Sequence, residues 1–517
     1  MPLSVREARV ARMRVEDEAL AQGMARLQEL RQAELDVKDA LAAAQAGLDA
    51  VVSEIRAVEE RTGKLQSSLE NVRSLHRREL WMDAIPLDVL RLIFEHCVEE
   101  LIYAKTGLRH PIDYILRSTP FALATTCSRW RKLALAAPEL WTYILVTDED
   151  DWNAIQRVYE GISRSKSQLL DVTIVLHHCD ESRYAAITKL VSTVLLHGNR
   201  IRSMHLRLPY KIDRKVCMAA LKGPTPQLAS LLVCYEPPHV RVNADHNNAA
   251  DRDLEDPDDK SSFYLPYAPR LEILELEDTH MSCSPLYCRL DTLRDLTLWS
   301  GTSLDQFLDL AKCASSTLQK LKLAMSWDIP AGVQPVTLPH LTSLTLQGST
   351  PLLHLALTAP RLRHLGLDTG LMSADMSLVT DHFASTVTAL EIIEGSAPED
   401  VHVLQAFRQV DTVTFTAFHN PGPITPVDWD LVLKEVATSS PPIWPKLASL
   451  HLGEGTGKAL GDGLLNLVRT RSLQTSNEVD PASTERPAKL AAVELVGSGA
   501  PEWLCSSVAH LLARAKV

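Results

Sequence analysis

One spacing, repeated five times, limits what this chain can become: a leucine, two residues, a second leucine, one residue, a third leucine. It reads Leu271-Leu274-Leu276, Leu293-Leu296-Leu298, Leu318-Leu321-Leu323, Leu341-Leu344-Leu346 and Leu362-Leu365-Leu367. Looser copies follow at Val387-Leu390-Ile392, Val410-Val413-Phe415, Leu447-Leu450-Leu452 and Leu490-Val493-Leu495. The five strong copies begin roughly 21 to 25 residues apart, too close for each to enclose a core of its own. Neighbouring units must therefore bury one another's apolar faces, which predicts a solenoid. The chain has 517 residues, more than a single core normally serves, in keeping with an elongated array.

Within each unit the alternation of apolar and polar residues predicts one short strand, its leucines turned inward and the residues between them outward. Stacking these strands gives a parallel sheet on the concave side. Irregular early copies are read at Trp141–Val146, Val172–Leu176, Ile201-Met204-Leu206 and Leu228-Leu231-Val233. Three residues after the last apolar position stand Thr279, Gly301, Ser326, Ser349, Gly370, Gly395 and Gly455, small residues suited to a tight turn. Proline precedes several copies, at Pro226, Pro269, Pro339, Pro360 and Pro445, and is read as an extended approach to the strand. Ser303–Cys313 and Val401–Gln409 are helical candidates on the far side. Two polar, acidic interruptions, about 237–262 and 474–487, are expected as loops.

The first 80 residues follow another rule. No proline lies between Pro2 and Pro86, and Ala, Glu, Leu, Arg and Gln dominate. Alternating steps of three and four pick out Leu41, Ala44, Leu48, Val51, Ile55, Val58, Thr62, Leu65, Leu69, Val72 and His76, a heptad that predicts a left-handed coiled coil. Carried backwards, the register finds Met13, Leu20, Leu27, Leu30 and Val37, but also Glu16, Gly23 and Glu34, so this part is expected to be weaker. One helix cannot bury such a stripe alone and needs a second copy or another protein beside it, a homodimer being the simplest answer; the alternative is a solvated, partly formed helix.

Between these regions lie Ile85-Pro86-Leu87-Asp88-Val89-Leu90-Arg91-Leu92-Ile93-Phe94, then Cys127-Ser128-Arg129-Trp130-Arg131-Lys132-Leu133-Ala134, then Pro138-Glu139-Leu140-Trp141. Taken by themselves they are two or three short helices with Trp130 and Trp141 as packing anchors. In this order they resemble an F-box, and the arrangement is similar to F-box proteins of mushroom-forming fungi, with a coiled coil before the F-box and leucine-rich repeats after it. The resemblance implies an α + α/β chain: a coiled-coil helix over 1–80, a helical F-box-like module over 81–143, and an irregular leucine-rich-repeat-like solenoid over 144–517 with the acidic loop at about 237–262. It implies docking on a Skp-type adaptor, and through it a cullin, by Pro86, Leu87, Leu90, Ile93, Phe94, Leu123, Cys127, Trp130, Leu133 and Trp141. Aspartate at Leu90 and Phe94 together is expected to abolish that docking. An insertion at about 99–119 lengthens the link between the first two helices compared with the family.

Chemistry narrows the remaining choices. A formal charge of −12 leaves no basic face for nucleic acid. Nine cysteines, scattered without a CxxC pair, suit a reducing compartment, cytoplasmic or nuclear. Neither a secretory signal nor a membrane-length apolar run is read. His177-His178-Cys179-Asp180 offers ligand chemistry without a second cluster, and Gly453–Ala459 misses the phosphate-loop spacing and its hydroxyl. No catalytic residue, metal or cofactor is expected. The candidate recognition surface is the outward face of the strands, with Glu275, Trp299, Lys322, Gln347, Asp368, Glu391 and His451 as contacts for a protein target. Two functions fit: a substrate-receptor subunit of a Skp-cullin-F-box ubiquitin ligase, or a non-catalytic interaction scaffold outside the ligase system.

Overall fold

The computed structural model describes residues 5–103, 112–147, 152–176, 181–209, 221, 223–236, 265, 267–279, 290–324, 336–347, 357–368, 383–393, 401–416, 429–453, 460–472, 487–495 and 499–515. Four sequence features fall outside them: the His177–Asp180 cluster, the 237–262 loop, residues 454–459 of the glycine-rich stretch, and residues 474–486. So do the expected turn residues Ser326, Ser349, Gly370, Gly395 and Gly455. Contacts divide the chain into two compact units, Met1–Leu90 and Arg91–Val517.

The first unit is dominated by one helix, α1 (Val5–Ala84), of 80 residues. Ion pairs one turn apart decorate it, at Arg12–Glu16, Glu34–Lys38 and Glu60–Lys64; being exposed, each adds only a few tenths of a kcal/mol, ~0.3. Pro86 ends it, because the residue before a proline is pushed out of the helical region. The carbonyl of Pro86 then accepts from Leu90 N at 3.0 Å and opens α2 (Leu87–Tyr103). The unit boundary falls inside α2, past the expected limit at residue 80.

The second unit begins with the rest of α2, followed by α3 (Ile112–Thr126) and α4 (Ser128–Ala136). The span 99–119, expected as a simple link, is largely helix: α2 runs on to Tyr103 and α3 starts at Ile112, leaving 104–111 outside the described residues. Helix formers continue without Gly or Pro from Leu87 to Thr106, and Pro111 stands just before α3, where its fixed φ favours a helix start. Cys127 separates α3 from α4. Its backbone is extended, and its Sγ accepts from Trp130 N at 3.4 Å as an N-cap.

Among the described residues 13 strands follow, all parallel and lying in sequence order: β1 (Tyr143–Thr147), β2 (Leu170–Val175), β3 (Ile201–Pro209), β4 (Ser230–Glu236), β5 (Ile273–Glu277), β6 (Asp295–Leu298), β7 (Lys320–Ala324), β8 (Ser343–Gln347), β9 (His364–Asp368), β10 (Ala389–Ile393), β11 (Thr412–Thr416), β12 (Ser449–Leu452) and β13 (Ala492–Glu494). The leucine spacing is the register. Leu274 lies beside Leu296, then Leu321, Leu344, Leu365, Leu390, Val413, Leu450 and Val493 in turn. A second ladder runs from Leu276 through Leu298, Leu323, Leu346, Leu367, Ile392 and Phe415 to Leu452. All of these side chains but Val493 are buried and belong to one continuous apolar core that extends from Ile144 to Leu511; Val493 is half-buried and packs against it.

The prolines do something other than extend the chain. Leu228, Leu271, Leu341, Leu362 and Leu447 each donate N–H to the carbonyl three residues back, on Thr225, Ala268, Leu338, Ala359 and Trp444. Pro226, Pro269, Pro339, Pro360 and Pro445 therefore sit second in a four-residue turn, where φ near −65° is already required. The first turn residue is buried in all five. Gly301, among the expected turn residues, has φ +80°, and a methyl group there would overlap Asp278.

Among the described residues, α-helices lie between some of the strands and after the last one. These are α5 (Trp152–Arg164), α6 (Glu181–Leu195), α7 (Leu304–Cys313), α8 (Trp429–Thr438), α9 (Asp462–Ser472) and α10 (Glu502–Ala515). Ser303 caps α7 by accepting from Gln306 N, so the candidate Ser303–Cys313 is found with its cap. Val401–Ala406 is a 3-10 turn instead of an α-helix.

Among the described strands β1 is the end of the sheet, paired with β2, yet all five of its residues are buried. Helices α3 and α5 pack against it. Trp141 ties this corner together. Its Nε1 donates to Ala134 O at 2.8 Å, Phe121 meets it edge-on with centroids 5.0 Å apart, and the Arg164 guanidinium lies 4.5 Å over its ring. Gly161 lets α5 approach, since a Cβ there would stand 3.1 Å from Ile144 Cδ1. The helical module thus caps the solenoid, as the terminal units of repeat proteins must.

Candidate functional site

Two surfaces carry candidate chemistry. The first is α2. Leu90, Phe94 and Val98 recur at four-residue steps and are buried, Leu90 and Phe94 to 1% exposure. Phe94 packs edge-on against Trp130 with centroids 4.8 Å apart. Val89, Leu92 and Ile93 also recur at helical spacing, and they are exposed, as is Leu87 at 52%. An ordinary surface helix turns polar residues outward; α2 is apolar on two faces and has covered only one.

The ten residues expected to dock an adaptor therefore divide. Pro86, Leu87 and Ile93 are accessible, and so is Cys127, although its sulfur is engaged as the cap of α4. Leu123, Trp130 and Leu133 are half-buried. Leu90, Phe94 and Trp141 are interior, and this changes the decisive substitution: aspartate at Leu90 and Phe94 would place carboxylates inside the module and break its fold, whatever binds outside. The informative positions are Leu87 and Ile93. Sequence reasoning passed over Val89 and Leu92, although the i, i+3, i+4 spacing of Val89, Leu92 and Ile93 was available as a signal. The Arg91 guanidinium also braces the module, reaching Glu95 Oε1 at 2.7 Å and Glu139 Oε1 at 2.9 Å.

The second surface is the outward face of the sheet. Its middle row runs Glu275, Thr297, Lys322, Thr345, Gly366, Glu391, Thr414 and His451. The expected contacts are less free than their alternation implied. Trp299 Nε1 donates to Glu275 Oε1 at 2.7 Å, and Lys322 Nζ lies 4.5 Å over the Trp299 ring. Burial pushes the Glu275 carboxyl above the ordinary glutamate value, partly opposed by the Trp299 hydrogen bond and the Lys322 charge. Burial likewise raises Asp295 on the adjacent row.

Farther along, Glu391 accepts from Thr416 Oγ1 at 2.9 Å and faces His364 Nε2 at 3.7 Å, while His364 Nδ1 is 3.0 Å from Ser343 Oγ. His451 Nδ1 pairs with Glu494 Oε2 at 2.9 Å. Gln347 is buried and Asp368 half-buried. The structure thus gathers Glu275, Trp299 and Lys322 into one cluster, and sets Glu391 and His451 in two others farther down the sheet. Gly366, whose Cβ would meet Thr345 at 2.9 Å, leaves the middle row without a side chain between Thr345 and Glu391.

Among the described residues no group of His, Cys, Asp and Glu could hold a metal ion, and no helix is long and apolar enough to cross a membrane. Among the described cysteines, Cys97, Cys127, Cys234, Cys313 and Cys505, none forms a disulfide. No protein-family model matches the chain, and no curated protein matches it.

Proposed function

We propose that the chain is a substrate-receptor subunit of a Skp-cullin-F-box ubiquitin ligase. In this reading α2 to α4 form the F-box and dock a Skp-type adaptor, while the leucine-rich-repeat face holds a protein target. The observation that supports it best is the uncovered apolar stripe of α2, Val89, Leu92 and Ile93, with Leu87 also exposed at the first turn of the helix, on a module whose other side is already packed. Exposed apolar residues grouped on a small rigid element are the usual centre of a protein interface. The receptor carries out no bond chemistry. It raises the effective concentration of a target lysine near a charged conjugating enzyme, which needs orientation and no catalytic group in this chain. The long helix α1 takes a second copy of the chain as partner through its heptad seam.

The test is binding of purified Skp-type adaptor to the full chain and to Leu87→Asp with Ile93→Asp. Both positions are exposed, so the variant keeps its melting temperature while losing adaptor affinity by at least about 100-fold, as expected for central interface residues. Absence of binding by the unmodified chain would sink the reading. A second reading, a scaffold outside the ligase system, draws support from the packing of α3 and α5 on β1, which gives the module a structural duty independent of docking. Complexes isolated from the native cell without adaptor or cullin would favour it.

A further inference from the structure

Every described side chain of α1 from Val5 to Arg73 is exposed, the seam leucines included. Where the charges fall decides how a second copy can lie along it. A parallel, in-register pair sets each seam residue against its own twin, so Glu16 meets Glu16 and Glu34 meets Glu34 in partly desolvated layers. On the flanks, where each g position faces the following e position of the partner, Arg26 meets Arg31 and Glu54 meets Glu59. Only Arg12 with Asp17 is attractive there.

Reversing one helix removes these clashes. With Leu41 opposite Val51, Leu27 meets Leu65, Leu20 meets Val72, and Glu34 meets Val58 instead of itself. The flanking e positions then bring Asp17 to Arg73 and Arg31 to Glu59, each pair occurring twice by symmetry. These four side chains take no part in the ion pairs described within α1, which use Arg12, Glu16, Arg26, Glu29, Glu34, Lys38, Glu60 and Lys64. We propose that α1 pairs with a second copy of the chain in antiparallel orientation, with Asp17–Arg73 and Arg31–Glu59 fixing the register. The proposal rests on self-pairing of α1 and is independent of adaptor docking.

The two orientations predict opposite signs for one substitution. In the antiparallel pair Arg31→Glu places two acidic side chains together twice over, weakening dimerisation of the full chain at low ionic strength on the order of tenfold. In the parallel pair the same change turns Arg26 against Arg31 into an attraction and tightens the dimer. Glu59→Arg behaves alike, and the double variant returns to the native dissociation constant only in the antiparallel arrangement. Sedimentation equilibrium reads the constants, and circular dichroism checks that helix content is kept. A photo-reactive benzophenone amino acid in place of Met24 should cross-link to peptides around Gln66, whereas links to the peptide around Met24 itself would mark a parallel pair. Tightening by either single variant, no change in both, or cross-links of the parallel kind overturns the orientation. A native chain that stays monomeric overturns self-pairing as well, leaving the adaptor reading to its own experiment.

Discussion

Replacing Trp141 by alanine tests the claim that the helical module and the solenoid are one folded body. Trp141 is 2% exposed and touches α3, α4 and α5 through Phe121, Ala134 O and Arg164. Removing a buried indole costs about 3–5 kcal/mol, more where neighbours cannot close the hole. Ala134, itself buried, would also lose the donor to its carbonyl, a cost of about 1–3 kcal/mol if no water replaces it. These terms share one site and do not simply add, so a total of ~4–5 kcal/mol is expected. Trp141→Phe keeps most of the ring and loses the N–H, for ~1–2 kcal/mol.

Because repeat proteins fray unit by unit, the loss should be local. Hydrogen exchange on the full chain is the suitable assay: amides of β1 and β2 should lose protection in Trp141→Ala, while those of β8 to β11 keep theirs. Two results would refute the reasoning. One is a stability change under ~1 kcal/mol in Trp141→Ala, which would mean the corner is not closed by the indole. The other is an equal loss of protection at β11, which would mean the array unfolds as a single cooperative unit and has no separate cap.

Two further outcomes are expected besides adaptor binding and helix pairing. Glu275 has its pKa raised in the folded state, so the stability it contributes is full below the ordinary carboxylate value and is lost as pH rises through the raised folded value. Glu275→Gln, which still accepts from Trp299, should therefore gain stability over the native chain as pH rises above the ordinary carboxylate range, about pH 4, in thermal melts; a difference that does not vary with pH would contradict this. Asp430 accepts from the N–H groups of Gly461, Gly463 and Leu464 at 2.7, 2.8 and 3.2 Å, and so anchors the start of α9 to α8. Asp430→Ala should cost ~2 kcal/mol by chemical denaturation, and Gly463→Ala should also destabilise, because its methyl group would overlap the Asp430 carbonyl oxygen.

The strands were legible because their signal is periodic. Leu274, Leu296 and Leu321 repeat in sequence what they do in space, and a parallel ladder in sequence order needs no long-range information beyond the period. The turns were half legible: Pro269 and Pro360 marked the place, but their role depends on which carbonyl Leu271 and Leu362 meet, a relation between backbone atoms that composition does not carry. For the candidate sites, the difficulty was distinguishing faces. Leu90 and Ile93 look alike in the sequence of α2, and only their burial, 1% against 45% exposed, separates the interior residue from the outer one. Glu275 lies in β5 and Trp299 just past the end of β6, and their mutual hydrogen bond depends on the two strands being neighbours, which is not visible in either segment alone.

The capped end of the sheet bears on how such a chain can evolve. Under the adaptor reading proposed above, a lineage that gave up docking could let Leu87, Leu92 and Ile93 drift, since their side chains are exposed. It could not release Phe121, Trp141 or Gly161 so easily, because β1 would then become an open edge, ready to recruit strands from other chains. Divergence between those two sets of positions among descendants would therefore record whether docking was kept, even where the outline of the module stays the same.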